Sequence, residues 1–286
     1  MADQKLILVT GGAGFIGSHL CARLAADGHR VISLDNYFTG SRENHVPGVD
    51  YREGHTKNIE KHIPETPDLI YHLGEYSRVE ISLKEPALVW DLNKDGTFGV
   101  LEFWRKYGGK LVYAGSSTKF GDGGLGRNQS PYAWTKASNT ELVKNYSAWY
   151  GLPHAITYFY NVYGPRERPA NEYGTVIETF RRQFLKGEPL TVNAPGTQKR
   201  NFTHVDDIIE GLVLVGTGGI GDDFGIGDEQ AYSILEVAQM FGGEIIMKPA
   251  IAGNRMGSDI DTAKTRALGW SSKRNLADYI KQVCKK

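Results

Sequence analysis

"LVTGGAGFIGSHL", residues 8–20, runs from a strand-length apolar segment through a cluster of glycines into residues at helical spacing. Gly11, Gly12, Gly14 and Gly17 satisfy both G-x-x-G-x-x-G and G-x-G-x-x-G. Glycines at these positions permit a tight turn, a close backbone approach to a pyrophosphate, and a helix packed hard on its strand. The helix start then offers free N–H groups and its positive dipole end to phosphate oxygens. Gly11, Gly14, Phe15, Ile16 and Gly17 are therefore expected against a dinucleotide.

The next apolar run, "RVISLD" (30–35), ends in Asp35, followed by Asn36. A carboxylate there accepts hydrogen bonds from the adenosine ribose and repels a 2′-phosphate, which favours NAD over NADP. Further runs of strand length are "DLIYHL" (68–73), "KLVYAG" (110–115) and "HAITYF" (154–159). Between them, 86–105 and 131–150 read as long helices, each opening on proline. Strands alternating with helices give an α/β class: a doubly wound, parallel Rossmann sheet. Residues 1–164 read as this nucleotide domain. Residues 165–286 have shorter elements and read mainly as a smaller C-terminal substrate-binding lobe, some of whose segments return to the sheet. Within it, helices are expected near 176–186, from about 205, and at 233–243, the last with a Ser233/Glu236 capping box.

Composition narrows the function classes. The chain has 286 residues, with 33 basic and 33 acidic side chains and no block of like charge. Neither a nucleic acid nor an anionic membrane surface is favoured as partner. No apolar run reaches the length of a membrane span, and the N-terminus reads as a strand rather than a signal peptide. Cys21 and Cys284, the two cysteines, lack the spacing of a metal or redox pair, and the eight histidines form no ligand cluster. No metal is expected, and a reducing cytoplasm is.

"SPYAWTKAS" (130–138) places Tyr132 and Lys136 four residues apart, on one helix face. With 15 tyrosines in the chain, about one such pair is expected by chance. The context adds weight. "AGSSTKFG" (114–121) follows a predicted central strand, so its hydroxyls sit at the carboxyl end of the sheet, where ligands bind in open α/β folds.

Taken together, these segments resemble the extended short-chain dehydrogenase/reductases of the nucleotide-sugar epimerase/dehydratase family, over nearly the whole chain. The family's glycine motif is matched by Gly11, Gly14 and Gly17, its "D-N" by Asp35-Asn36, and its "HLA" by "HLG" with Leu73 and Gly74. Its "N-x-x-G-T" spans Asn93 to Thr97, its "S-P-Y-x-x-S-K" Ser130 to Lys136, and its "Y-F-N-V-Y-G-P" appears as "YFYNVYGP", with Asn161. Its "R-x-F-x-x-V-x-D" runs from Arg200 to Asp207.

The resemblance implies roles. Tyr132 would be the general base, Ser116 would share or relay its proton, and Lys136 would hold the nicotinamide ribose. Leu73, Gly74 and Asn93 would also stand by the cofactor. Free tyrosine ionises near pH about 10, so a tyrosine base working near neutrality needs positive charge nearby. Lys136 and the nicotinamide ring would provide it. Asn161 and Ser116 would meet the substrate, and Arg200 and Arg255 would grip its diphosphate, although either could instead be a surface cation. His204 is expected to pack at a helix entry, and Asp206 and Asp207 to cap that helix.

The chain also departs from the family pattern. Dehydratases carry Asp-Glu directly after the catalytic hydroxyl residue, and decarboxylases keep a glutamate; here Ser117 and Thr118 stand there. Glu75 replaces a small residue, the 117–131 segment is short, and His55 and Thr56 lie where an aspartate is customary. Arg78, Lys119, Arg181 and Arg182 could serve a uronate carboxylate but read as surface charges. The leading expectation is an NAD-dependent nucleotide-sugar 4-epimerase acting through a 4-keto intermediate. The alternatives are a dehydrogenase, reductase or 4,6-dehydratase of the same family, or a non-catalytic NAD-binding protein. The partners expected are a nucleotide-diphosphate sugar and a second copy of the chain, paired through the two long helices.

Overall fold

The computed structural model describes residues 4–118, 126–168, 174–250 and 260–285. Six strands form in chain order: β1 (Leu6–Thr10), β2 (Arg30–Asp35), β3 (Val49–Glu53), β4 (Leu69–His72), β5 (Lys110–Ala114) and β6 (His154–Phe159). They pair in parallel with a late strand, Gly221–Ile226, in the order Gly221–Ile226, β6, β5, β4, β1, β2, β3. Chain order reverses between β1 and β4, which lie side by side in parallel register, Ile7 beside Leu69 and Thr10 beside His72. The continuous apolar runs in β1, β2, β4 and β5 are explained by coverage on both faces.

On one face lie α1 (Phe15–Ala26) and the helix Val205–Gly218, packed with Val9, Leu20, Leu212 and Ile226. The other face is covered by Gly96–Tyr107 and Pro131–Tyr150, which bury Leu8, Phe103, Trp104 and Val143. Burying an aromatic or large aliphatic side chain of this kind stabilises by about 1.5–3 kcal/mol. Trp104 also satisfies its indole N–H on the Gly109 carbonyl at 3.0 Å.

The helix Pro131–Tyr150 begins where its sequence says it must. Ser130 Oγ accepts from the Ala133 amide at 3.1 Å, Pro131 holds the first turn, and Gly151 ends the helix in a left-handed conformation at φ +67. The expected 86–105 helix is instead composite: Pro86–Val89, a π-turn at Trp90–Asp95, then Gly96–Tyr107. The wide turn carries Asn93 inward, where it holds both backbone groups of Tyr76.

A third apolar cluster, including Tyr163, Phe180, Val192 and Phe241, packs Val176–Lys186 and Ile234–Phe241 around short strand pairs. The capping box of Ser233 and Glu236 is formed in both directions. The Val205–Gly218 helix differs from expectation. His204, not an aspartate, caps it, accepting from the Asp206 amide at 3.2 Å. Asp207 is fully buried within the helix and binds the amides of Lys273 and Arg274 at 3.0 Å and the Arg274 guanidinium. An unpaired carboxylate could not remain at that depth, so those bonds fix it there. No helix among the described residues is long and apolar enough to cross a membrane.

Candidate active site

Where β1 and β4 part, a cavity of about 980 Å³ opens at the carboxyl edge of the sheet. In open α/β sheets such a crevice is where ligands bind. Gly11, Gly14, Phe15, Ile16 and Gly17 line it at one end. Gly11 has φ +74, and a Cβ there would meet Gly74 Cα at 2.8 Å. A Cβ on Gly17 would lie 2.1 Å from the Gly11 carbonyl oxygen. Both glycines are therefore required by close backbone packing. No side chain caps α1 at Gly14, so its first N–H groups are available to an anion.

Asp35, 6% exposed, ends β2 and accepts from the amides of Ala13 at 2.9 Å and Tyr37 at 2.8 Å. Burial raises its carboxyl above the ordinary value, with the two amides working against that rise. Asn36 lines the cavity next to it, and Leu73 and Gly74 line it from the end of β4. A glycine cradle, an uncapped helix and a carboxylate beyond them fit a dinucleotide with unmodified ribose. Among the described residues no group of three His, Cys, Asp or Glu side chains could hold a metal ion.

Ser116, Tyr132 and Lys136 line the same cavity. Tyr132 donates its hydroxyl proton to Ser116 Oγ at 3.1 Å, and Ser116 Oγ lies 2.9 Å from Thr118 Oγ1. Lys136, 5% exposed, stands one helical turn beyond Tyr132. Its Nζ donates to the Ala114 carbonyl and to the carboxylate of Glu75.

Glu75 stands out in the sequence as a departure from the family pattern, but no role is assigned to it there. Its carboxylate accepts from Thr97 Oγ1 at 2.8 Å, Asn139 Nδ2 at 3.0 Å and the Tyr113 hydroxyl at 3.1 Å, besides Lys136. Burial opposes its charge, but Lys136, His72 and these donors prevail and hold it below the usual carboxylate range. A directed chain of hydrogen bonds leads to it. The Gly74 amide donates to Thr10 Oγ1 at 3.1 Å, and Thr10 is 2.7 Å from His72 Nδ1. His72 Nε2 is 3.0 Å from Thr97 Oγ1, whose proton goes to Glu75. That sequence of donors assigns the Nε2–H tautomer to His72. Burial pushes the imidazole down to about 4, so it is neutral at pH 7. The available signal was the carboxylate itself: a charged residue set immediately beyond a buried strand, where the family pattern has a small one.

The substrate end departs further from expectation. Asn161 and Arg200 line the cavity. Arg255 and Lys119 lie outside the described residues, as do 121–125 of the glycine-rich loop. Arg78, expected as a surface charge, is part of the cavity wall. Burial lowers the value of its guanidinium, while Glu167 and Tyr132 are near enough to favour its charge. Glu167, also on the wall, accepts from the Gly164 amide at 3.0 Å and from Thr175 Oγ1. Burial pushes its carboxyl up to about 7. Arg181, in contrast, is paired with Glu178 at 2.6 Å and does not line the cavity.

Asn93 is expected beside the cofactor. It is fully buried, does not line the cavity, and spends its side chain on Tyr76 and Thr135. It supports the turn that carries Glu75 and Tyr76, because the π-turn directs it inward.

Comparison with known proteins agrees with this geometry. The sequence model of the NAD dependent epimerase/dehydratase family matches residues 7–227. A UDP-glucose 4-epimerase from Thermus thermophilus, solved in complex with NAD, superposes with a TM-score of 0.89 at 29% identity, covering 98% of this chain and 97% of that one. A UDP-glucose 4-epimerase from Thermotoga maritima, solved with UDP-glucose, gives 0.89 at 27% identity over the same shares of the two chains. UDP-glucuronic acid decarboxylase 1 of Xenopus tropicalis is 31% identical over 292 residues, 94% of this chain and 68% of its own.

Proposed function

Because the chain belongs to the NAD-dependent epimerase/dehydratase family, we propose that it is a nucleotide-sugar 4-epimerase acting through a transient 4-keto sugar. The observation that carries this reading is the Tyr132–Ser116 hydrogen bond of 3.1 Å on the wall of the switch-point cavity. NAD is the cofactor of the family, and when bound it accepts and returns the hydride at the sugar carbon. Tyr132 takes the proton of the C4 hydroxyl, and Ser116 steadies the phenol oxygen and shares the proton. Arg200, on the cavity wall, holds the diphosphate while the keto sugar turns and presents its other face. Ser117 and Thr118 offer no carboxyl group for expelling water.

A second reading is favoured by Arg78. A half-buried guanidinium on the cavity wall, near enough to Tyr132 to feel its charge, suits a sugar bearing a carboxylate, so a uronate-type nucleotide sugar is the alternative substrate. We further propose a homodimer. Val89, Phe103 and Val143 are buried, whereas Trp90, Phe98, Trp134 and Trp149 are exposed. Trp90 and Trp134 stack with ring centres 5.9 Å apart. An apolar surface of this kind suits a partner helix pair. A dimeric mass in light scattering at micromolar concentration is expected; a monomeric one rejects the pairing.

The deciding experiment is incubation with a panel of neutral and acidic nucleotide sugars, followed by NMR and mass spectrometry. Inversion at C4 with unchanged mass is the expected result. Loss of water, loss of carbon dioxide, or stoichiometric accumulation of reduced cofactor assigns one of the family's other reactions.

A further inference from the structure

We propose that Glu75 is a positioning residue for the catalytic end: it pins Lys136 in place and cancels its charge, so that Lys136 serves the cavity as a hydrogen-bond donor and not as a net cation beside Tyr132. The argument starts from donors. An ammonium has three N–H bonds. Two of those on Lys136 are taken, by the Ala114 carbonyl and by Glu75. One is left for the cavity that Lys136 lines. The side chains of the pair are 6% and 3% exposed, so water screens their mutual attraction very little.

The carboxylate is held as firmly as the ammonium. One oxygen of Glu75 collects protons from Thr97, Asn139 and Tyr113, and the other faces Lys136. Its two oxygens are thus satisfied by protein groups from several elements, which is the arrangement a buried charge requires. An isolated Lys136 would stabilise a tyrosinate on the same helix face; a Lys136 neutralised at contact distance does so much less. The positive help for Tyr132 then has to come from Arg78 and from the ligand side of the cavity.

The charged and titratable groups that face the pair are His72 from β4, Lys94 from the π-turn and Tyr113 from β5. Arg78 faces Tyr132. All four are left in place by the substitutions below.

The proposal rests on the reading of Tyr132 as the base, but its test needs no substrate. The ionisation of Tyr132 is followed in the NAD-loaded protein as a phenolate absorbance difference between each background and its Tyr132→Phe counterpart. Removing the negative charge alone, with Glu75→Gln, is expected to move the midpoint down by about one pH unit, the size expected for one charge at close range. Removing both charges, with Glu75→Gln and Lys136→Met together, is expected to leave the midpoint within about 0.3 unit of the native protein, because the pair contributes no net field. This second variant covers the case in which Glu75→Gln leaves Lys136 buried without a partner and does not fold. A midpoint unchanged or raised in Glu75→Gln overturns the proposal, as does a rise of about one unit or more in the double variant. If no nucleotide sugar is turned over, the functional reading fails while this titration still gives its own answer.

Discussion

Glu167 allows the electrostatics of the cavity to be tested through stability alone. Its carboxyl is raised from the ordinary 4.5 to about 7, chiefly by burial. A carboxyl raised on folding binds more protons in the native state than in the unfolded state between those two values. Stability therefore falls as pH rises from about 4.5 through about 7, and the full penalty is present above the folded value. The difference of about 2.5 units, at 1.36 kcal/mol each, sets a ceiling of about 3 kcal/mol. Glu167→Gln keeps an acceptor for the Gly164 amide and removes the charge. Urea unfolding of the ligand-free protein and of the variant at pH 5 and pH 8 reads the effect as a difference of differences. That comparison cancels titrations common to both chains, while Arg78 and Glu178, which feel Glu167, stay in place. The variant is expected to gain about 2–3 kcal/mol on the native chain between the two pH values. A gain under about 0.5 kcal/mol, or one of opposite sign, would show that Glu167 is not held in a desolvated setting.

Three further outcomes are expected. Tyr132→Phe and Ser116→Ala should each lower turnover, Tyr132→Phe by about 100-fold or more, with thermal melting unchanged; near-native rates in Tyr132→Phe would remove it from the chemistry. Asp35→Ala should weaken the preference for NAD over NADP in a binding titration, and an unaltered ratio would mean that the ribose is read elsewhere. Gly17→Ala should lower NAD affinity by about tenfold or more, since its Cβ, 2.1 Å from the Gly11 carbonyl, must push α1 off the turn. Native affinity in calorimetry would show that the cradle can open without loss.

The nucleotide end was legible in the sequence because its chemistry is local. Strand, glycine turn and helix start are consecutive between Leu6 and Ala26, and steric demands within that stretch select glycine at Gly11 and Gly17. The start of the helix Pro131–Tyr150 was equally readable, since Ser130 and Pro131 act on their own first turn. With that helix placed, Tyr132 and Lys136 necessarily share a face.

What tertiary structure alone decided were the meetings between distant segments. Arg78 reads as an ordinary surface cation until the fold sets it on the cavity wall near Tyr132 and Glu167. Asn93 gives no sign in the sequence of its bond to Tyr76, which a π-turn sets up. Trp134 and Val143 occupy one helix, and only packing against the sheet separates the exposed residue from the buried one. Glu75 and Lys136 are 61 positions apart, and nothing along the chain specifies that they form a buried pair. Local sequence fixes backbone geometry within a few residues through sterics and capping. The charge environment of a side chain depends on burial and on partners from other elements, and those exist only once the sheet has brought the elements together.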